Sequence, residues 1–435
     1  MNYLYVDNFR GFNDQLMSFS DINFFVGENS TGKTSILSII HILTSTDFWS
    51  SGSFPSSGMG LESFDDIVSA NAKNKDYFVA GIGRKVEGKI IFLLCKFQSE
   101  DGLPKVSVIA ATNGNEMFSI KFEKTVNGSN YTELQNKADI NHIVNALKKR
   151  IHSNKIKTIP LEIPARFINL LIDFYPFILE NSKANSASKA KKATPTFKND
   201  IKEEKIIEPI IQNLYWIAPI RSDPQQIYSG NMTQSSPEGN HIPFLLRKIF
   251  TSQDKKSKEA SEKLKSYGKK SGLFDDIKVK AYGGDSMSNP FSIDVVLSGS
   301  ELNLKHVGYG VSQILPVIYE IISRPRGGIL IQQPEVHLHP KAQAVFGEAL
   351  YNLSQKFSKP LFIETHSDFM IDRFRHSISK SKNYTKNARV LFFMRTKSGN
   401  KVLEITIDNE GRYPDDQPNE FREFFLNESI SLLGI

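Results

Sequence analysis

With only one cysteine, Cys95, the 435-residue chain can form no internal disulfide. Cys95 follows the apolar run Ile90-Ile91-Phe92-Leu93-Leu94, which reads as a core strand, so it is expected to pack rather than to act as a nucleophile. Long hydrophobic runs are missing too. No stretch reaches the roughly 18–20 uninterrupted apolar residues that cross a bilayer. The N-terminus, Met1 to Asp7, lacks the basic start and apolar core of a secretory signal. No internal repeat is visible. Together these absences point to a cytoplasmic protein without a membrane partner.

What is present is ordinary in bulk. Apolar residues make up 40% and charged residues 23%, as in a soluble globular protein. At about 100–200 residues per domain, the length allows two or three domains. The formal charge of +7 is unevenly spread, with lysines grouped at Lys148-Lys149-Arg150, from Lys183 to Lys198, and from Lys255 to Lys270. Such runs usually form solvated faces or loops; the other reading is attraction to a nucleic-acid phosphate backbone.

Hydrophobic pattern divides the chain into three. Residues 1–133 open with strand, turn, strand, loop and helix: Ile22 to Val26 is a short apolar run, and a helical pattern starts near Thr34. Residues 50–60 are a loop by composition, and 77–123 read as several strands. Residues 134–272 read as a mainly helical, Lys-rich insertion. Within it the apolar segment Phe167 to Ile172 precedes a linker candidate, Asn181 to Asp200, and a second flexible Lys-rich segment runs from Thr251 to Gly272. Residues 273–435 return to strands at Ile277–Lys280 and Phe291–Val296, then alternate helix and strand as a parallel α/β sheet does.

The clearest chemistry is the phosphate loop Gly27-Glu28-Asn29-Ser30-Thr31-Gly32-Lys33-Thr34, followed by Ser35, a full match to G-x-x-x-x-G-K-[ST]. Its glycines let the backbone curl so that N–H groups, from Asn29 through Ser35, face a phosphate. The following helix adds its positive N-terminal end. Lys33 is suited to bridging the β- and γ-phosphates, and the Thr34 hydroxyl to ligating Mg²⁺. The sequence therefore predicts ATP and Mg²⁺ as cofactors.

Four further segments follow far downstream. Gly308-Tyr309-Gly310-Val311-Ser312-Gln313 is a turn opening a helix, Gly328-Ile329-Leu330-Ile331 a strand, and His366 ends another strand, Leu361 to Glu364. His337-Leu338-His339-Pro340 has no cysteine partner and no third ligand at zinc spacing, so it reads as a turn with Pro340 starting a helix from Lys341 to Lys356.

In this order the motifs resemble the split ATPase head of the ABC/RecF/SMC class, closest to bacterial ATPases related to RecF and to the overcoming-lysogenization-defect nucleases; ATPases of anti-phage systems belong to the same broad class. The segments that carry the resemblance are GENSTGKTS, VGYGVSQILPVI, ILIQQPEVHLHPKAQ and FIETHSDF, within residues 1–45 and 300–375. Asn8-Phe9-Arg10-Gly11-Phe12 resembles the opening strand of such heads, whose arginine approaches the nucleotide. Tyr215 to Arg221 (YWIAPIR) is similar to a piece common in these relatives, with no mechanism attached.

The resemblance implies an α/β fold, with a mixed-sheet lobe, a parallel α/β lobe and an inserted helical domain. It implies that Gly308, Gly310, Ser312 and Gln313 form the signature turn facing the γ-phosphate held by a partner's Lys33, and that His366 senses that phosphate. It also exposes a departure. Relatives carry acidic residues at Gln332 and Gln333, the first supporting Mg²⁺ and the second polarising the attacking water. Glutamine keeps the shape but is neither charged nor a base. Glu335 is the nearest remaining carboxylate and Glu364 the next. ATP binding is expected to survive and hydrolysis to be slow.

The function implied is ATP-driven dimerisation, as a homodimer or larger homo-oligomer, that regulates a separate effector (a nuclease or toxin) or DNA, in phage defence or DNA repair. One alternative is an ATP-bound scaffold with little hydrolysis. Another is a nuclease with its own head, for which Asp415-Asp416 is better read as a turn beside Pro414.

Overall fold

The computed structural model describes residues 2–153 and 213–424, apart from 52–53, 55–59, 113, 115, 122–127, 134–138, 233, 285, 325–327, 356–359 and 382. In chain order the elements are β1 (Tyr3–Asp7), β2 (Gln15–Ser18), β3 (Ile22–Gly27), α1 (Lys33–Thr44), α2 (Thr46–Ser51), α3 (Phe64–Ile67), β4 (Phe78–Val86), β5 (Lys89–Glu100), β6 (Leu103–Thr112), β7 (Glu116–Lys121), β8 (Gly128–Glu133) and α4 (Ile140–Ile151). After residue 213 come β9 (Tyr215–Ile217), α5 (Ile242–Thr251), α6 (Lys255–Ser271), β10 (Asp276–Ala281), β11 (Phe291–Leu297), β12 (Ser300–Asn303), α7 (Tyr309–Ser323), β13 (Ile329–Gln332), α8 (Pro340–Ser354), β14 (Leu361–Glu364), α9 (Asp368–Ser379), β15 (Ala388–Thr396) and β16 (Gly399–Ile407).

The chain forms two units. The first comprises Met1–Phe19, Ser30–Asn213 and Met394–Val402; the second comprises Ser20–Asn29, Leu214–Phe393 and Leu403–Ile435.

The first unit is built on a seven-stranded sheet in the order β2-β1-β4-β5-β6-β7-β8. Every pairing in it is antiparallel. Helix α4 starts at Asp139, whose carboxylate caps the N–H of His142. Its apolar face, Ile143, Val144, Leu147 and Ile151, packs on Tyr5, Phe92, Leu94 and Ala110 of the sheet. These positions recur at helical spacing, so one stripe is buried while Lys148 and Lys149 stay at the polar edge. Phe78 and Phe97 stack with centroids 4.6 Å apart. Cys95 is fully buried in β5, and burial pushes its thiol pKa far up, as suits an inert packing residue.

The second unit holds a six-stranded sheet in the order β16-β15-β3-β14-β13-β9. From β15 to β9 the pairings are parallel. Strand β3 is buried along its whole length, as expected of a central parallel strand covered on both faces. A separate antiparallel sheet runs β10-β11-β12. This is the α/β architecture of two sheet lobes with helices that the sequence predicted, one sheet antiparallel and the other largely parallel.

One expectation changes. Thr251 to Gly272, expected to be flexible, contains the helix α6. Asp254 caps it by accepting from the Ser257 N–H, and Gly272 ends it in the left-handed conformation. Leu264, Tyr267 and Ser271 are buried on one side. Only a thin apolar stripe is needed when α5, α7 and α8 supply the other half of the packing. The described residues of 134–272 up to Asn213 fall in the first unit and those from Leu214 in the second. The apolar segment at 167–172, the linker candidate and the Lys183–Lys198 cluster lie outside the described residues, as does most of the 50–60 loop. Among the described residues, no helix is long and apolar enough to cross a membrane.

Candidate functional site

The phosphate loop starts where β3 ends. Gly27 has φ 138°, and a Cβ there would lie 2.0 Å from the Phe393 carbonyl oxygen. At the other end of the loop Gly32 has φ 93°, and its Cβ would meet the Phe12 ring at 2.4 Å. Both positions exclude any side chain. Helix α1 follows Gly32 with no side-chain cap and no acidic residue in its first turn. Its first N–H groups and its dipole therefore favour an anion. Thr31 and Lys33 are buried, while Asn29, Ser30 and Thr34 are exposed and Ser35 half-buried.

In the first unit a cleft of about 720 Å³ adjoins the loop, lined by Arg10, Gly11, Asn13, Ser30, Arg395 and Asn400. Arg10 sits at φ 46° with its guanidinium donating to the Gly60 carbonyl. Its Nε is buried without a hydrogen-bond partner. Arg395 donates from Nη2 to the Ser30 carbonyl at 2.9 Å. Nothing in the sequence marks Arg395: it comes from β15, far from any motif.

In the second unit the strand ends carry the remaining candidates. Gln332 and Glu364 are register partners at the carboxyl ends of β13 and β14. The Gln332 amide accepts from Trp216 Nε1 at 2.8 Å and donates to Glu364 Oε2 at 3.2 Å. Arg221 donates to the Gln332 carbonyl at 2.8 Å and, more weakly, to the Gln333 carbonyl at 3.4 Å. The backbone N–H of Arg221 donates to Gln313 Oε1 at 3.1 Å. Gln313 Nε2 donates back to the Arg221 carbonyl at 3.4 Å. The segment YWIAPIR thus links helix α7 to the end of β13, a role no local signal could have shown.

Gln333 takes φ 41° and begins a tight turn in which the Leu338 N–H donates to the Glu335 carbonyl. Glu335 Oε1 accepts the His366 backbone N–H at 2.6 Å. Burial raises the Glu335 carboxyl above the usual range, opposed by that N–H and by Arg221. Burial likewise lowers Arg221 to about 10, so it stays charged at neutral pH. Glu335 Oε2 and Arg221 Nε are both buried without a hydrogen-bond partner. His366 is exposed at the end of β14.

Of the residues expected to form a signature turn, Gly308 is exposed, with no neighbour within 4 Å of where a Cβ would lie, and it caps α7 without a side-chain bond. Gly310 is tight, its Cβ position 2.9 Å from the His337 carbonyl. Ser312 is buried and donates to the Tyr309 carbonyl at 3.0 Å. The exposed Tyr309 ring lies 5.5 Å from the His337 ring. His339 caps α8 through Nδ1, accepting from the Lys341 N–H, with Pro340 in the first turn.

Residues 1–371 match the AAA ATPase domain. The chain belongs to that family. No curated protein matches it. Among solved structures it is similar to an SMC head bound to the C-winged helix domain of ScpA, at 12% identity and TM-score 0.46, covering 93% of this chain and 98% of that one. The SMC head domain from Thermotoga maritima aligns at 11% identity and TM-score 0.38, over 93% and 98% of the two chains. An Smc head with an extended coiled coil, bound to the C-terminal domain of ScpA derived from Pyrococcus furiosus, aligns at 11% and 0.44, over 93% and 96%. Membership of the ATPase family accords with the phosphate loop and makes ATP the general ligand class.

Proposed function

We propose that this AAA ATPase domain protein is an ATP-gated dimer that regulates a DNA-directed or nuclease partner. The observation that carries the reading is the buried Lys33 at the uncapped start of α1, behind a loop whose two glycines admit no side chain. A second helix, α7, also begins uncapped, at an exposed glycine. In the proposed dimer each Gly308 end meets the γ-phosphate held by the other copy's Lys33, and His366 reads the same phosphate. Arg10 and Arg395 line the cleft that would take the rest of the nucleotide. The Mg²⁺ that accompanies ATP would use a hard oxygen donor, the Thr34 hydroxyl, and would keep several waters, which suits Mg²⁺. When bound, it offsets phosphate charge. Antiviral defence and DNA repair are the settings in which such a switch is useful.

The test is light scattering of the purified chain with and without ATP and Mg²⁺, then incubation with plasmid DNA and candidate effectors. A mass that doubles only with nucleotide supports the reading; a strictly monomeric protein at saturating ATP removes it. A second reading, an ATP-bound scaffold with little turnover, is favoured by Gln332 and Gln333, neither of which can take a proton from water. Steady-state phosphate release distinguishes the two.

A further inference from the structure

Within the phosphate loop Ser30 is the one residue other than glycine with a left-handed backbone, at φ 61°. That conformation is disfavoured for any residue with a Cβ, and it persists only where the surroundings hold it. Arg395 supplies a hold. Its Nη2 donates to the Ser30 carbonyl at 2.9 Å, which fixes the peptide plane that follows Ser30. A cationic donor makes this bond stronger than a neutral one would.

Arg395 stands on a well-tied base. It lies in Met394–Val402, which spans the turn between β15 and β16 and belongs to the first unit, as does the loop from Ser30 onward. The Asn400 backbone N–H donates to the Gly11 carbonyl at 2.8 Å, and the Asn400 side-chain amide donates to the Arg10 carbonyl at 3.1 Å. Asn13 Nδ2 donates to the Ser398 carbonyl at 3.3 Å. Gly399 comes so close that a Cβ would lie 2.4 Å from the Gly11 carbonyl oxygen. Asn400 also reaches the far end of the loop, its Nδ2 lying 3.3 Å from where a Gly32 Cβ would be. The same turn therefore bonds the loop at Ser30 and abuts it at Gly32, the residue before Lys33. Arg395 itself is exposed, so its removal opens no cavity in the core.

We propose that Arg395 is a positioning residue of the ATP site, acting through Ser30 to hold the loop in its phosphate-ready conformation before the nucleotide arrives. Ordering the loop in advance lowers what binding must spend on ordering it. The proposal rests on the reading of Gly27 to Thr34 as an ATP-binding loop.

The experiment is calorimetric titration of ATP with Mg²⁺ into the full chain as wild type, Arg395→Ala, Ser30→Gly and the double variant, alongside melting of each ligand-free protein. Arg395→Ala should lose roughly tenfold in affinity. Its ligand-free melting temperature should stay within about 2 °C of wild type, because the side chain is exposed. Glycine at residue 30 keeps the backbone N–H and carbonyl and takes a left-handed φ without strain. In the Ser30→Gly background, removing Arg395 should therefore cost no more than about threefold. Equal losses in the two backgrounds would mean that Arg395 touches the nucleotide directly, and would overturn the proposal. So would an Arg395→Ala protein that binds like wild type, or one whose melting temperature falls in step with its affinity. If wild type binds no ATP, the phosphate-loop reading itself fails, and this proposal with it.

Discussion

Two glycine turns open helices in this molecule, and they use glycine for different reasons. At the phosphate loop Gly27 and Gly32 are required by their own surroundings: positive φ and a neighbour within 2.4 Å leave no room for a Cβ. At the turn that opens α7, Gly308 has φ −58° and open space around it, so its own fold would accept a side chain. Both helices nevertheless start without a side-chain cap. The first turn is shaped from within, whereas the second is left open toward whatever approaches it. Under the proposed function that visitor is the nucleotide of a second copy.

The sharpest way to break this contrast is to add one methyl group at each turn. Gly32→Ala combines a left-handed backbone with a clash against Phe12 and should cost about 4 kcal/mol, read by denaturant unfolding. Gly308→Ala should stay within roughly 0.5 kcal/mol of wild type. Equal losses at the two sites would end the distinction.

Arg221 tests what holds the open turn in register with β13. Arg221→Ala leaves the Gln332 and Gln333 carbonyls short of a donor and Glu335 short of a nearby positive charge. A loss of about 3 kcal/mol is expected, with Lys recovering only part of it because an ammonium lacks the planar fork. A change under about 0.5 kcal/mol would mean that Arg221 links nothing.

Gly308→Asp separates folding from assembly. An aspartate is a good N-cap, so the ligand-free protein should be as stable as wild type or up to about 1 kcal/mol more so. The added negative charge faces the incoming phosphate, and ATP-dependent dimerisation should weaken roughly tenfold or more, with ATP affinity of the monomer nearly unchanged. Undiminished dimerisation would place the contact elsewhere.

The smallest effect concerns Glu335. Its carboxyl is raised in the folded state by burial, so the protonated form is the one the fold prefers. The stability this gives is fully present below the unfolded carboxylate pKa and is lost as pH rises through the folded value. Glu335→Gln mimics the protonated form and still accepts the His366 N–H. Its melting temperature should therefore equal or slightly exceed that of wild type at neutral pH and vary less between acid and neutral pH. Turnover should fall if Glu335 acts on water; a steeper pH dependence than wild type would contradict the burial argument.

What can be read from sequence follows the range of the interactions. The phosphate loop is legible because strand, glycine turn and helix are local and contiguous. The parallel sheet is legible from β3 and its alternating helices. The role of Arg221 is not, because its partners Gln313 and Gln332 are distant in the chain and meet only when α7 and β13 pack. Gln332 looks like a lost carboxylate in one dimension, and only Trp216, 116 residues earlier, shows why an amide fits there. Helix α6 escapes a reading by composition because its many lysines hide a narrow buried stripe. Arg395 carries no motif at all.

The central claim is that Gly27 to Thr34 binds ATP through Lys33. Calorimetric titration of ATP with Mg²⁺ into wild type and Lys33→Ala tests it most directly. Saturable binding by wild type and an affinity lower by roughly a hundredfold, about 2.7 kcal/mol, in Lys33→Ala is the predicted result. Equal affinity in the two proteins would contradict it.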